Sequence, residues 1–295
     1  MIEAYKGIFP AIITAYDSDG HLDTSVQKQV ARWLLDQGCK GFFVCGGTGE
    51  GLLLHEDERK VVLEAVMEEV GGEATIIAHV GSASPLEAHR LAEHAAALNV
   101  DAIAAIPGAY FTPEVDELIA HYTTLAEIAQ RPTLLYHIPI RTGVVLDLAT
   151  IDRLAQIPHV AGLKYTDHNL YLMEQMREQQ GDDFIILSGS DEMMVPAQLM
   201  GATGAVGTWY NLIPGVFVNA FNARRNGDWE TAVEYQKRGN AAIRWGIELG
   251  GLGLVKQAMH AIGFATGDAR MPVKRVDDAD VNKFVAWLRA EGYVD

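Results

Sequence analysis

The chain has 295 residues, of which 49% are apolar and 21% charged, and this composition suits one large α/β domain or two small ones. Its net charge of −16 argues against a nucleic-acid partner, because phosphate binding needs a basic face. The two cysteines, Cys39 and Cys45, flank an apolar stretch and do not indicate a disulfide framework. No apolar run approaches the ~20 residues of a membrane span, and the first residues lack the pattern of a signal peptide. We therefore expect a cytoplasmic protein with no membrane partner.

Short apolar runs alternate with helical patterns over the first three quarters of the chain, as expected for parallel strands buried on both faces. The predicted strands cover residues 7–15, 41–45, 75–80, 102–106, 133–137, 160–165, 184–188 and 205–208. The predicted helices cover residues 24–37, 56–70, 85–98, 113–130, 147–156, 170–180, 193–200 and 214–225. This order predicts a repeated strand–helix unit.

Eight such units within residues 1–225 predict a (β/α)8 TIM barrel. An open, doubly wound sheet is the alternative, because periodicity alone does not exclude it. After residue 225 the strand patterns stop, and segments 228–249, 252–262 and 277–291 are predicted to be helices. We expect residues 226–295 to form a C-terminal helical extension that packs on the barrel, so that the chain makes one structural domain.

Lys164 stands at the end of the sixth predicted strand, after a run of apolar residues. The carboxyl ends of barrel strands face the active site, and lysine is rarely buried unless it has a partner. A lysine amine in such a pocket can attack a ketone and form a Schiff base, which then acts as an electron sink. The alternative is a lysine that extends to water or pairs with a carboxylate.

Tyr136 lies near the end of the fifth predicted strand, beside the strand that carries Lys164. Its phenol can pass protons between a substrate and solvent, although tyrosine is also common in strands as a packing residue. Because neighbouring residues of a strand point to opposite faces, we expect His137 on the other side.

The segment CGGTGEG, residues 45–51, follows the second predicted strand. Glycines let backbone N–H groups approach a ligand, so this loop can bind an anion such as a ketoacid carboxylate, with Thr48 adding a hydroxyl. Its spacing does not match the dinucleotide or P-loop motifs, because Leu52 occupies the last glycine position of the former. The alternative is a tight strand–helix turn.

No metal motif stands out in the sequence. The histidines are scattered, no pair has the spacing of a helical HExxH motif, and there is no GxSxG segment. We therefore expect neither a metal nor another cofactor.

GGTGE near residue 48, YHIP at 136–139 and GLK at 162–164 together resemble the pyruvate-dependent class I aldolases, the family of N-acetylneuraminate lyase and dihydrodipicolinate synthase. The resemblance runs from about Tyr5 to the C-terminal helices. It implies a (β/α)8 barrel assembled as a homotetramer, a dimer of dimers. It also implies that Lys164 forms the Schiff base with pyruvate and Tyr136 is the proton shuttle, while Thr48 and Gly47 in their loop hold the carboxylate.

The segments at 189–194 and 200–211 are similar to the sialic acid lyase branch of that family. There, the positions that match Gly189, Asp191, Glu192 and Thr208 hold the polyhydroxyl tail of the sugar, and Thr166 is also similar to that branch. Carboxylates suit this role because they accept hydrogen bonds from several hydroxyls. The alternative for the two acids is a helix start, where acidic residues are favoured.

Three positions depart from the family pattern. Gly47 stands where the family usually carries a second hydroxyl residue, which removes a contact to the carboxylate and a step of the proton relay. Arg141 replaces a usually apolar residue of the lyase branch and resembles the synthase branch, where an arginine binds a carboxylate. In the loop PGAYF, Ala109 or a shifted Tyr110 takes the place of a tyrosine that reaches a neighbouring subunit.

The expected function is a Schiff-base aldolase that cleaves a 2-oxo-3-deoxy sugar acid, foremost N-acetylneuraminate, to pyruvate and N-acetylmannosamine. The alternative within the class is a synthase, aldolase or dehydratase that acts on a smaller acidic ketoacid. Two alternatives lie outside the class. One is a barrel that binds pyruvate without catalysis, which the glycine at position 47 suggests. The other is a nucleotide-binding doubly wound enzyme.

Overall fold

Eight parallel strands form the centre of the molecule, which is described for residues 2–294 by a computed structural model. The strands are β1 Ile8–Pro10, β2 Gly41–Val44, β3 Thr75–His79, β4 Ala102–Ala105, β5 Thr133–His137, β6 Val160–Tyr165, β7 Ile185–Ser188 and β8 Gly204–Gly207. They pair in the order β1-β8-β7-β6-β5-β4-β3-β2, and a parallel bridge between Ala11 and Phe43 joins the end of β1 to β2. The sheet therefore closes into the predicted barrel, and the open doubly wound alternative is wrong.

Twelve helices surround and extend the barrel in the described part of the chain. They are α1 Thr24–Asp36, α2 Glu56–Val70, α3 Pro85–Ala97, α4 Val115–Ala129, α5 Pro139–Thr142, α6 Leu148–Ala155, α7 Leu170–Gln180, α8 Met194–Leu199, α9 Pro214–Arg225, α10 Trp229–Leu249, α11 Leu252–Ala261 and α12 Asp278–Ala290. Short 3₁₀ segments lie at Ile2–Tyr5, Asp191–Met193 and Trp209–Asn211. The sequence did not predict these segments or the single turn of α5.

The interior of the barrel is filled by inward-facing side chains of alternate strand residues. Phe9, Phe43, Ile77, Leu134 and Val206 belong to this inner cluster and are completely buried. A larger cluster lies between the outer faces of the strands and the helices. Because the inner cluster fills the barrel, ligands have access only above the strand ends.

β1 is much shorter than predicted, because the apolar run continues while the backbone leaves the ladder. The amide of Ile13 donates to Oδ1 of Asn211 (3.0 Å), and the amide of Ala15 donates to Oε1 of Gln27 (3.0 Å). Side-chain oxygens thus accept the hydrogen bonds of backbone amides that would otherwise pair with carbonyl oxygens of a neighbouring strand. Residues 12–15 remain buried without being a strand.

The helices α10, α11 and α12 follow the last barrel unit. α10 packs along α9, and α11 carries Lys256, whose amine reaches Glu50 in the loop after β2. α11 is therefore connected directly to the end of the barrel at which the strands terminate. None of the described helices combines the length and apolarity that crossing a membrane requires.

Candidate active site

A cavity of ≈ 710 Å³ opens at the carboxyl ends of the strands. Of the residues predicted for the site, it is lined by Gly47, Thr48, Tyr136, Arg141, Lys164, Thr166, Gly189 and Thr208. Its outer walls include apolar side chains of the loop after β2 and of α11, among them Leu52 and Leu252. These residues lie far apart in the sequence, and they converge on one cavity because the barrel brings the carboxyl ends of its strands together.

Lys164 and Tyr136 form a buried pair on adjacent strands, in register with each other. Nζ of Lys164 donates to the phenol oxygen of Tyr136 at 3.0 Å, and the side chains are 4% and 5% exposed. Lys164 forms no ion pair within residues 2–294. The amine is instead in contact with aromatic faces, 4.2 Å from the ring centre of Phe43 and 4.1 Å from that of Tyr136. It is a buried amine next to a group that can carry a proton.

His79, at the end of β3, is a further wall of the cavity that the sequence analysis missed. Its ring lies edge-on to Tyr136, with 5.5 Å between the ring centres. Burial holds the pKa of His79 well below its usual value of 6.5, and the charges of Arg59 and Lys164 lower it further. The imidazole is therefore neutral, and its contact of 3.0 Å with the carbonyl oxygen of Cys45 requires the proton on Nδ1. The signal in the sequence was a polar residue at a strand end, as for Lys164.

His137 lies on the outer face of β5, as predicted. It is fully buried and stacks on Tyr165, with 4.9 Å between ring centres and an angle of 6°. It does not line the cavity. Burial lowers its pKa, and the nearby carboxylate of Asp167 opposes this shift.

The loop after β2 presents its residues to the cavity. The hydroxyls of Thr48 and Thr208 are 2.6 Å apart, which joins this loop to the end of β8. The amides of Gly47 and Thr48 donate to no group within residues 2–294, so they are free to bind an anion. A Cβ atom at position 47 would meet nothing within 4 Å.

Glu50 fixes the same loop from behind and was not identified from the sequence. Its backbone has a φ of 56°, and its carboxylate accepts hydrogen bonds from Nζ of Lys256 (2.8 Å) and from the amide of Arg270 (2.6 Å). The side chains of Glu50 and Lys256 are both 0% exposed. Because the charges are paired and hydrogen-bonded, the ion pair can hold the loop without a bare buried charge.

Asp191 and Glu192 are not among the residues that line the cavity. The amide of Trp209 donates to Oδ2 of Asp191 (2.7 Å), and the Asp191 carboxylate lies beneath Gly207. Burial raises the pKa of Asp191 to about 7, although the Trp209 hydrogen bond opposes this. Glu192 is bound at 3.1 Å by the exposed His168.

Gly189 and Thr166 lie in contact at the cavity wall. A Cβ atom on Gly189 would approach Oγ1 of Thr166 to 1.9 Å, so a larger residue would displace Thr166. That hydroxyl is buried and has no hydrogen-bond partner within residues 2–294. It is therefore available to a ligand.

Arg141 lies on α5 at the mouth of the cavity and is exposed. Its guanidinium makes no hydrogen bond or ion pair in the described part of the chain. It is thus a cation at the cavity that is free to bind a carboxylate, the role that the resemblance to the synthase branch implies.

Residues that could hold a metal lie elsewhere. Asp17, Asp19 and His21 place one ligand atom each within 4.8 Å of one another, but all three are exposed. One carboxylate oxygen of Asp17 accepts the amides of Asp19 and His21, which is the hydrogen bonding of a surface turn. None of the three lines the cavity that contains Lys164.

The fold and the cavity, with a buried lysine beside a tyrosine, fit one class of enzyme, the (β/α)8-barrel aldolases that form a Schiff base. The profile of the dihydrodipicolinate synthetase family matches residues 4–291. The N-acetylneuraminate lyase of Clostridium perfringens is 32% identical over 280 residues, which cover 94% of this chain and 96% of that protein.

Solved structures give the same result. A catalytic lysine mutant of the Ruminococcus gnavus sialic acid aldolase superposes with a TM-score of 0.95 at 27% identity, covering 99% of this chain and 98% of that one. The dihydrodipicolinate synthase of Aquifex aeolicus superposes with a TM-score of 0.92 at 25% identity, covering 98% and 99%. The chain belongs to the dihydrodipicolinate synthetase family.

Proposed function

We propose that this protein is an N-acetylneuraminate lyase that works through a Schiff base on Lys164. The observation that carries the proposal is the buried pair of Lys164 and Tyr136, 3.0 Å apart in the cavity. The similarity to N-acetylneuraminate lyases over nearly the whole chain supports the choice of substrate. The chemistry needs no cofactor, because the lysine itself supplies the electron sink.

The reaction follows from the position of the amine. Lys164 adds to the ketone carbon of the open-chain substrate and water leaves, which gives a protonated imine. The C3–C4 bond then breaks, its electron pair moves into the imine, and the proton of the C4 hydroxyl leaves through Tyr136. The product aldehyde departs, the enamine takes up a proton at C3, and water releases pyruvate from the lysine.

The surrounding walls divide between the two ends of the substrate. We assign the carboxylate next to the imine to the free amides of the loop after β2 and to the Thr48 hydroxyl. The sugar tail then extends toward Gly189 and Thr166, whose hydroxyl has no hydrogen-bond partner within residues 2–294. Asp191 and Glu192 serve the tail in this proposal if closure around the substrate turns them toward the cavity.

The test is borohydride reduction in the presence of pyruvate, followed by peptide mass spectrometry, with pyruvate release from N-acetylneuraminate measured in parallel. The expected result is one reduced pyruvyl adduct on Lys164 and release of N-acetylmannosamine. Lys164→Met should form no adduct and release no N-acetylmannosamine. The other buried lysine, Lys256, should carry no adduct in the wild type or in the variant. An adduct without turnover would favour a barrel that only binds pyruvate, and adducts spread over several lysines would contradict the covalent mechanism.

A second candidate substrate is favoured by one observation, the unpaired Arg141 at the mouth of the cavity. A guanidinium binds a second carboxylate well through two parallel hydrogen bonds, so a shorter ketoacid or an aldehyde with an acid group is the alternative. Arg141→Ala should lower kcat/KM for such a substrate by about 10-fold or more, the worth of one charge-assisted hydrogen bond. Cleavage of N-acetylneuraminate should change little, and a large loss of that activity would contradict a neutral binding site for the sugar tail.

We also propose a homotetramer in the cytoplasm. Tyr110 and Phe111 in the loop after β4 are 94% and 78% exposed, which leaves an aromatic pair free to contact another subunit. Cys39 and Cys45 are buried and unpaired, as suits a reducing compartment. Light scattering after gel filtration gives the mass of the assembly, and a monomer would contradict the tetramer.

A further inference from the structure

The loop that binds the carboxylate supplies a single side-chain hydroxyl. Thr48 has one, and its neighbour Gly47 has none. Position 47 is open, since a Cβ atom there would meet nothing within 4 Å. A carboxylate has two oxygens, each of which accepts more than one hydrogen bond. The loop by itself is therefore short of side-chain donors for this group.

A second hydroxyl reaches the loop from β8, which is separated from β2 only by β1 in the closed barrel. Oγ1 of Thr208, at the end of β8, is 2.6 Å from Oγ1 of Thr48, although 160 residues separate them in the sequence. Thr208 precedes the 3₁₀ segment Trp209–Asn211, but its side chain does not cap that segment. Among residues 2–294, the hydroxyl therefore bonds to Thr48 and to no backbone group.

The backbone of Thr208 is held rigidly. Nδ2 of the fully buried Asn211 donates to the carbonyl oxygens of Thr208 (2.9 Å) and Ala11 (2.8 Å), while Oδ1 accepts the amide of Ile13. On the other side, the hydroxyl of Thr14 donates to the carbonyl oxygen of Gly49 (2.6 Å). The two threonines are therefore presented to each other by fixed segments, which keeps the distance short.

We propose that Thr208 is a positioning residue for the pyruvate carboxylate, not a contact for the sugar tail, and that it takes the place of a side chain that position 47 lacks. Each hydroxyl has one proton. When Thr208 donates to Thr48, the Thr48 proton is left to bind the carboxylate, and the chain of hydrogen bonds polarises that donor. The inference rests on the proposed Schiff-base function, because it needs a ketoacid carboxylate beside Lys164.

The experiment measures how the rate of borohydride trapping on Lys164 saturates with pyruvate, which involves no aldehyde. In Thr208→Val, half-saturation should require about 10-fold more pyruvate, the worth of one hydrogen bond to a charged group. Thr208→Ser, which keeps the hydroxyl, should bind pyruvate like the wild type. In the double variant Gly47→Ser with Thr208→Val, the new hydroxyl should restore much of the affinity. The KM for N-acetylmannosamine in the reverse reaction should stay within about two-fold in all three proteins.

The outcomes separate this inference from the proposed function. If the wild type forms the Lys164 adduct but Thr208→Val saturates at the same pyruvate concentration, the positioning role is wrong and the lyase proposal stands. If the KM for N-acetylmannosamine rises as much as the pyruvate concentration at half-saturation, or more, Thr208 contacts the sugar tail and the positioning role is wrong. If the wild type forms no adduct, both proposals fail together.

Discussion

Two buried lysines have opposite surroundings. Lys256 is 0% exposed, pairs with the Glu50 carboxylate at 2.8 Å and donates to the carbonyl oxygen of Asp268 at 3.2 Å. Lys164 is 4% exposed, and its partner is the phenol of Tyr136. Both amines lie over aromatic rings, since Lys256 is 4.0 Å from the ring centre of Tyr16.

The two lysines differ in whether a carboxylate balances the charge of the amine and in whether a ligand can reach the amine. Burial lowers the pKa of Lys256, but the carboxylate of Glu50 opposes this, and the amine is enclosed by its partners. Lys164 has no carboxylate partner within residues 2–294 and faces a cavity of ≈ 710 Å³. A buried lysine is thus structural when its charge is matched, and chemically available when it is unmatched and open to a ligand.

The sharpest test of this contrast is Lys164→Met. We expect pyruvate release to fall at least ~10⁴-fold, as for loss of other covalent nucleophiles. The melting temperature should equal or exceed that of the wild type, because no buried carboxylate loses its partner. Differential scanning fluorimetry and the pyruvate assay check both parts. A clear fall in melting temperature would mean that Lys164 is needed for folding.

Lys256→Met should do the reverse. It leaves the Glu50 carboxylate buried without a cation, which lowers the free energy of unfolding by ~3–5 kcal/mol. Urea denaturation measures this loss, and the fraction that folds should still form the adduct on Lys164. Glu50→Gln combined with Lys256→Met removes both charges and should recover part of the stability. Equal stability of the single and double variants would show that charge pairing is not the reason.

Asp191 is a third buried ionisable group, an acid that forms no ion pair within residues 2–294. Its pKa is raised by burial from 3.8 to about 7, so the folded protein binds more protons than the unfolded chain between those values. Stability from this group is present at low pH and is lost as the pH rises from about 4 to 7. The total is about 4 kcal/mol at ~1.4 kcal/mol per pKa unit.

Asp191→Asn should remove this pH dependence, since an amide oxygen still accepts the Trp209 hydrogen bond but does not ionise. Urea denaturation at pH 5 and pH 8 makes the measurement. The variant should be the more stable protein at pH 8, and the two should differ least at pH 5. A wild type whose stability does not respond to pH over this range would refute the assignment.

The smallest effect is expected at a lysine that is paired but not buried. Lys60 contacts Glu56 one helical turn away at 2.6 Å, with the lysine side chain 26% exposed. Water competes for such a pair, so Lys60→Met should change the free energy of unfolding by less than ~1 kcal/mol. A loss as large as that of Lys256→Met would mean that burial does not decide the strength of these pairs.

The two lysines also show what could be predicted from the sequence. The barrel was predictable because each strand and helix has its own local pattern. Lys164 was visible because it ends an apolar strand, where a charge is unexpected. Lys256 lies inside a helix, where a lysine normally faces water, and its partner is 206 residues away in the sequence. No local pattern reports such a pair, so Glu50 and Lys256 were missed.

The same limit applies to the hydroxyl pair and to β1. Thr48 and Thr208 were each predicted for the site, but for opposite ends of the substrate, because their contact depends on how the barrel closes. β1 was predicted to run to residue 15, yet the side chains of Asn211 and Gln27 accept its backbone donors from residue 13 onward. Side-chain hydrogen bonds between distant residues decide both cases, and periodicity does not encode them.

The ion pair between Glu50 and Lys256 has a consequence for the order in which the protein is made. The ribosome completes the loop after β2 before it makes the strands β3 to β8, whereas Lys256 and Arg270, which fix Glu50, are made only after β8. Strands can begin to assemble as they appear, but the carboxylate-binding loop acquires its final support only when α11 has left the ribosome. A nascent chain therefore has all eight barrel strands before it can hold its substrate, and competence for catalysis waits for α11 and Arg270.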